Sequence, residues 1–279
     1  MHHQSLLKNA FSERPAGGHR HGNDKPLNPH PMKIGIIGTG PVGGSLAKNL
    51  AALGHQVKVT NTRQPAELAR KAQELGASPA TLQDVVQDVD LVFIAVPFKV
   101  IGEFPKDLFR SLPAEVIVVD TGNYYPFRDG KIDALEQGQP ESVLAAEQLG
   151  RPLLKAFNNL LAETIADGGT APGTPGRIAL SIAGDDERAK HILSDLCNDL
   201  GFDVVDGGTL ADSWRQQPGT PAYCTELTAP ELTQALAAAV PGKAPRLRDE
   251  IIGELLQRKD WPTREEVVAG NRARQLGNA

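Results

Sequence analysis

Lys33 to Gly44 read K-I-G-I-I-G-T-G-P-V-G-G, and few segments restrict a fold as tightly. Ile34, Ile36 and Ile37 make a short β-branched run suited to a buried parallel strand. Gly38, Gly40 and Gly43 follow as G-x-G-x-x-G, and Val42, Leu46, Ala47, Leu50 and Leu53 then recur at helical spacing. Strand, glycine turn and helix in that order predict a dinucleotide-binding unit. Gly38 permits the tight turn, Gly40 lets the backbone approach a pyrophosphate, and Gly43 lets the helix pack close to the strand. Thr39, Pro41 and Val42 fill the turn, where the helix N-terminus offers N–H groups and a partial positive charge to phosphates. The competing reading is a glycine-rich turn in another kind of α/β protein.

The next strand, Gln56 to Thr60, ends in Asn61-Thr62-Arg63. An acid there, about twenty residues past the glycines, would bind an adenosine 2′-hydroxyl and repel a 2′-phosphate. None is present. Thr62 can donate a hydroxyl hydrogen bond and Arg63 a charge-assisted one, so the pattern favours NADP(H) over NAD(H). The alternative is a solvated arginine after a strand.

Composition removes several function classes. The 279 residues carry a net charge of −5, which leaves no basic footprint for nucleic acid or an anionic membrane. No apolar run approaches the ~18 residues of a membrane span. Cys197 and Cys224 are the only cysteines, which argues against a disulfide framework and fits a reducing, cytoplasmic setting. Neither stands in a zinc-like pattern with histidines, and no metal site is expected. Residues 1–31 are polar, hold five of the seven histidines and read as a disordered tail, with Met32 a possible translation start.

From Met32 onward strand and helix patterns alternate, predicting an α/β, Rossmann-type, doubly wound and mostly parallel sheet. Residues 32–150 are assigned to the nucleotide domain. Residues 151–279 form a smaller α/β to helical part that completes the cleft. Expected elements include helices over 65–75, 98–110, 142–149 and 186–200, and strands over 90–97, 115–119, 153–157, 177–183 and 202–205. Thr228 and Glu231 have capping-box spacing ahead of a helix carrying Leu232, Leu236 and Val240.

Ligands in such sheets bind at the carboxyl ends of the strands. Three ends stand out: Val96-Pro97-Phe98, an apolar loop suited to ribose or nicotinamide; Asp120-Thr121-Gly122-Asn123, where Asn123 could hold a ribose hydroxyl or the carboxamide; and Lys155-Ala156-Phe157-Asn158-Asn159. Core packing of Val96 and Phe98, a turn at Asn123 and a helix cap at Asn158 remain open alternatives.

The fingerprint, the T-N-T-R stretch, the A-V-P turn, the D-T-G-N loop and L-K-A-F-N-N together resemble the NADP oxidoreductases dependent on coenzyme F420, a deazaflavin, over about residues 32–225. The N-terminal part is also similar to pyrroline-5-carboxylate reductases, and to the cytosolic domain of six-transmembrane metalloreductases, whose membrane part has no counterpart here. The resemblance implies a nicotinamide and a deazaflavin stacked in one cleft, with a hydride passing between them. It implies that Thr39, Gly40, Pro41 and Val42 touch the pyrophosphate, Thr62 and Arg63 the 2′-phosphate, and Val96, Pro97, Asn123, Lys155 and Asn158 the nicotinamide half. Segments 124–142 and 214–223 are longer than the family pattern, and both fall near the acceptor.

Hydride transfer between stacked rings needs proximity more than acid–base groups, and no hydrolytic triad or carboxylate pair is evident. Lys155, Asn158 and Tyr124 are the catalytic candidates, Lys155 and Tyr124 as proton sources for an imine or ketone. Tyr124, Tyr125, Phe127, Trp214 and Tyr223 could wall a ring-binding cleft or simply pack. The expected activity is hydride transfer between NADP(H) and a deazaflavin, flavin or similar two-electron acceptor. The alternatives are a small-molecule imine or keto reductase, and a non-catalytic NADP(H) sensor. The family relatives suggest a homodimer, and apolar residues of 224–279 could supply its surface or a local core.

Overall fold

The computed structural model describes residues 31–276, so the tail expected over residues 1–31 falls outside it save for Pro31. Six parallel strands form the main sheet: β1 (Lys33–Ile37), β2 (Gln56–Thr60), β3 (Ser78–Pro79), β4 (Leu91–Ile94), β5 (Ile117–Asp120) and β6 (Leu154–Lys155). Their order is β3-β2-β1-β4-β5-β6, the arrangement expected of a doubly wound nucleotide fold. Register brings Ile37 beside Thr60 and Ile94, Ile94 beside Asp120, and Asp120 beside Lys155. The carboxyl ends therefore finish level, and the loops after them share one edge.

Alternation along each strand feeds two core layers. Ile34, Ile36, Leu91 and Phe93 pack on one face with Leu46 and Leu50 of helix α1 (Pro41–Ala52). Ile37, Val92, Ile94 and Val118 pack on the other with Phe98, Phe109 and Leu149. Helix α2 (Pro65–Glu74) covers β2 and β3. The helix expected over residues 98–110 is two short ones, α3 (Phe98–Ile101) and α4 (Asp107–Arg110). Pro105 explains the break: it has no N–H to donate and disfavours helical geometry at Phe104. The expected strand over 90–97 is observed as Leu91–Ile94, and beyond it Ala95 O stands against Gly38 of the glycine turn.

Short helices α5 (Pro126–Asp129) and α6 (Asp133–Glu136) then lead into α7 (Glu141–Leu149). Beyond β6, α8 (Ala162–Asp167) lies across α1, where Asn49 Nδ2 donates to Ile165 O at 2.7 Å and Ser45 Oγ to Ala162 O at 3.2 Å. The main sheet thus runs past residue 150, as far as Lys155. A second, two-stranded parallel sheet pairs β7 (Ala179–Ile182) with β8 (Asp203–Asp206) through α9 (Glu187–Asp199). An antiparallel bridge between Lys155 and Ala183 links the two sheets.

A 3-10 segment, Leu210–Gln216, precedes helices α10 (Ala229–Ala237), α11 (Ala244–Gln257) and α12 (Arg264–Leu276). The capping box read from Thr228 and Glu231 is present at the start of α10. Leu232 and Leu236 of α10 are buried against Ala179 and Leu227, whereas Val240 is 46% exposed. Arg264 of α12 pairs with Glu226 and Asp167, which fastens the C-terminal helix to α8. Among the described residues no helix is long and apolar enough to cross a membrane.

Arg177 is the main polar joint of the second sheet. Its buried guanidinium donates to Thr170 O, Gly201 O, Asn198 O and Oδ1, and Asp203 Oδ1. Arg177→Ala leaves those acceptors unpaired and is expected to cost about 2–4 kcal/mol in a denaturant titration.

Candidate active site

The glycine turn follows β1 directly. Gly38 adopts φ +105°, a conformation glycine tolerates, and its N–H donates to Thr60 O at 2.8 Å. A Cβ on Gly38 would meet Ala95 O at 2.2 Å, and one on Gly43 would meet Gly38 O at 2.0 Å. These two glycines exist for close packing. Gly40 differs, because a Cβ there would meet nothing within 4 Å. Its open side faces no protein atom, and no side chain caps the helix α1 that it begins. The first N–H groups of a helix have no intrahelical acceptor. Open space, uncapped donors and Pro41 at the first helical turn fit a pyrophosphate.

Asn61 braces this cradle from β2. Its Nδ2 donates to Thr39 Oγ1 at 2.6 Å, and its Oδ1 accepts the Arg63 N–H at 2.8 Å. Thr62 and Arg63 are exposed, and among the described residues no hydrogen bond or ion pair engages the Arg63 guanidinium. Asn61 therefore acts as a brace, with Thr62 and Arg63 beyond it.

At the other strand ends, Val96 and Pro97 stay half-buried on the edge, while Phe98 is core, packed edge-on against Tyr124. Asn123 and Asn158 pair through both amides: Asn123 Nδ2 donates to Asn158 O, and Asn158 Nδ2 donates to Asn123 Oδ1, each at 3.0 Å. Gln216 completes the clamp, giving Nε2 to Asn158 Oδ1 at 2.8 Å and accepting from Asn158 Nδ2 at 2.9 Å. Three chain segments meet in this clamp. Phe157, just before Asn158, has φ +64°, a strained conformation that costs about 1–3 kcal/mol and is offset by burial against Phe93.

Beneath the clamp lies a buried charge cluster. Lys155 Nζ donates to Asp120 Oδ2 at 2.9 Å and to Gly122 O at 2.6 Å, and stands 3.7 Å from Glu141 Oε2. Ser142 Oγ donates to the same Asp120 oxygen at 2.7 Å, and Gly122 N–H to the other at 2.8 Å. Burial pushes the Glu141 carboxyl up to about 7, an effect that the neighbouring Lys155 opposes. Tyr125 and Tyr223 share a 2.6 Å hydroxyl–hydroxyl bond, and loss of solvent raises both phenols. That bond joins segments 124–142 and 214–223.

The three catalytic candidates all have their polar atoms engaged. Lys155 and Asn158 bond as described. Tyr124 is 1% exposed, and its hydroxyl binds Gly130 O, Glu136 Oε1 and the Ile132 N–H. Sequence reasoning named Asp120 at a strand end without a role for its carboxylate, and gave none to Glu141, Ser142 or Gln216. Glu141 stands just before the helix expected over 142–149, and only the packing of α7 against β5 and β6 places it near Lys155. Among the described residues no group of three or more His, Cys, Asp or Glu could hold a metal ion.

Comparison with known proteins follows the same lines. A family model described as NADP oxidoreductase, coenzyme F420-dependent, matches residues 33–124. Protein YjhV of Escherichia coli K12 is 36% identical over 101 residues, which are 36% of this chain and 74% of that protein. The structure of a hypothetical protein of Sinorhizobium meliloti, SMa0349, is similar at 30% identity and TM-score 0.59, over 71% of this chain and 95% of that one. A protein of Arthrobacter sp. FB24 described as an F420-dependent NADP-reductase is similar at 27% identity and TM-score 0.53, over 64% of this chain and 86% of that one.

The two glycine roles separate experimentally. Gly43→Ala is expected to lower stability by about 2 kcal/mol or more, because its Cβ meets backbone. Gly40→Ala is expected to stay within about 1 kcal/mol of the native melt yet weaken dinucleotide binding at least about tenfold. Thermal melts and calorimetric titration together check both. Glu141 gives a pH signature. Its folded-state value of about 7 exceeds the ordinary 4.5, so the native state binds the extra proton between those limits. Stability therefore falls as pH rises through that window, by about 1–3 kcal/mol, and Glu141→Gln removes the fall. Denaturant titrations across the window measure it.

Proposed function

This chain belongs to the family of NADP oxidoreductases dependent on coenzyme F420, and on that premise we propose that it moves a hydride between NADP(H) and a deazaflavin, flavin or similar two-electron carrier. The observation that carries the choice of NADP(H) is the exposed Thr62-Arg63 pair beyond β2, with an unengaged guanidinium and no acid beside it. A 2′-phosphate would meet there a hydroxyl donor and a fixed positive charge.

The remaining residues orient and shield. Gly40 and the uncapped start of α1 receive the pyrophosphate. Val96 and Pro97 form an apolar wall for the nicotinamide half, and the Asn123–Asn158–Gln216 clamp fixes the loops on its other side. The bound dihydronicotinamide supplies a hydride from C4. The protein's contribution to that transfer is proximity and exclusion of water. An imine or keto reductase would need a free proton donor touching its substrate. The engaged hydroxyl of Tyr124 and ammonium of Lys155 favour the carrier reading over that one.

Purified protein with NADPH and an 8-hydroxy-5-deazaflavin is expected to consume both stoichiometrically, followed at the nicotinamide absorbance. Activity only with a cyclic imine would replace the carrier reading. Tight NADPH binding without turnover on a wide acceptor panel would make the protein a sensor. Replacing Thr62 and Arg63 with alanine is expected to weaken NADPH by about tenfold or more and NADH little. Equal loss for both dinucleotides would count against the 2′-phosphate assignment.

A further inference from the structure

Glu141 is buried, and its Oε2 accepts no hydrogen bond from any of the described residues. It opens α7, while the charges around it come from four other places. Lys155 of β6 stands 3.7 Å away, Asp120 of β5 already holds that lysine at 2.9 Å, and the Arg248 charge reaches it from α11. The Tyr124 N–H and the Tyr125 phenol belong to the loop after β5. Asp120 and Lys155 balance each other. Arg248 is already engaged by Asp249 and Glu136, so a second carboxylate in this buried cluster would be only partly compensated, a costly state that a proton on Glu141 removes.

We propose that Glu141 is the proton store of the redox site: it keeps its proton while the nicotinamide ring is neutral and releases it when the ring becomes cationic. This claim rests on the NADP(H) reading above. Reduction of a two-electron carrier consumes NADPH, the carrier and one proton, and yields NADP+ and the reduced carrier. The C4–H bond of the dihydronicotinamide breaks, and both electrons pass with the hydrogen to the carrier. The Glu141 O–H bond breaks and its proton passes to solvent, and the basic atom of the carrier takes the one proton it needs from solvent. A positive ring at the Gly122-Asn123 edge acts on Glu141 as Lys155 does, by favouring the carboxylate. Burial and Asp120 hold the acid form, whereas Lys155, the Tyr124 N–H and Arg248 oppose it. A carboxyl poised near 7 needs only a modest added field to lose its proton at neutral pH. Glu141 acts through that field rather than by contact, as a positioning residue.

Calorimetry of NADP+ and NADPH binding, each in two buffers of different ionisation enthalpy, tests the claim without any acceptor. At pH 7, NADP+ is expected to release up to about half a proton more than NADPH, and Glu141→Gln to abolish the difference. The 2′-phosphate is common to both dinucleotides and cancels. A second measurement needs only the wild type: from about pH 6 to 8, NADP+ should tighten relative to NADPH by up to about tenfold. Equal proton release, a pH-independent affinity ratio, or a difference that survives in Glu141→Gln overturns the proton store while leaving NADP(H) binding intact. If neither dinucleotide binds, the NADP(H) reading falls and the proton store with it.

Discussion

The ammonium of Lys155 holds the site together. It sits 1% exposed between strands β5 and β6, shared by Asp120 and the carbonyl of Gly122. An isolated buried ammonium would be untenable, so the pairing is obligatory rather than ornamental. It fixes where the chain leaves β5, and so where Gly122 and Asn123 stand. Asn123 then fixes Asn158, and Asn158 fixes Gln216 from a segment some sixty residues on. One charge pair thereby sets the shape of three loops at the carboxyl edge of the sheet.

The glycine turn works by the opposite means. No charge is involved; backbone approaches backbone so closely that two of the three glycines admit no side chain. The third is left open. The two devices set a neutral, donor-rich start of α1 beside β1 and a charged, buried foundation beneath β5 and β6.

Much of this was legible in the residues themselves. The alternation of strands and helices, the close packing at Gly38 and Gly43, and the capping box at Thr228 follow from local spacing and steric rules. The split at Pro105 was also available from local chemistry, though helical periodicity over residues 98–110 concealed it. Neighbours along the chain could not disclose that Glu141 faces Lys155, that Gln216 answers Asn158, or that Tyr125 meets Tyr223. Those contacts depend on register across the sheet and on how loops of unequal length fold back. Tyr124 shows the same limit: local sequence left it between proton source, cleft wall and packing, and the fold turns it inward to Phe98 and Glu136.

The bridge between Lys155 and Ala183 carries an additional consequence. Lys155 donates its main-chain N–H to Ala183 O at 2.8 Å and accepts from Ala183 N–H at 3.0 Å, while its side chain anchors the charge cluster. The residue that neutralises Asp120 is therefore also the seam between the large and small sheets. Any swing of the small sheet would tug on the ammonium, so mechanical motion and buried electrostatics are geared to one another at a single amino acid.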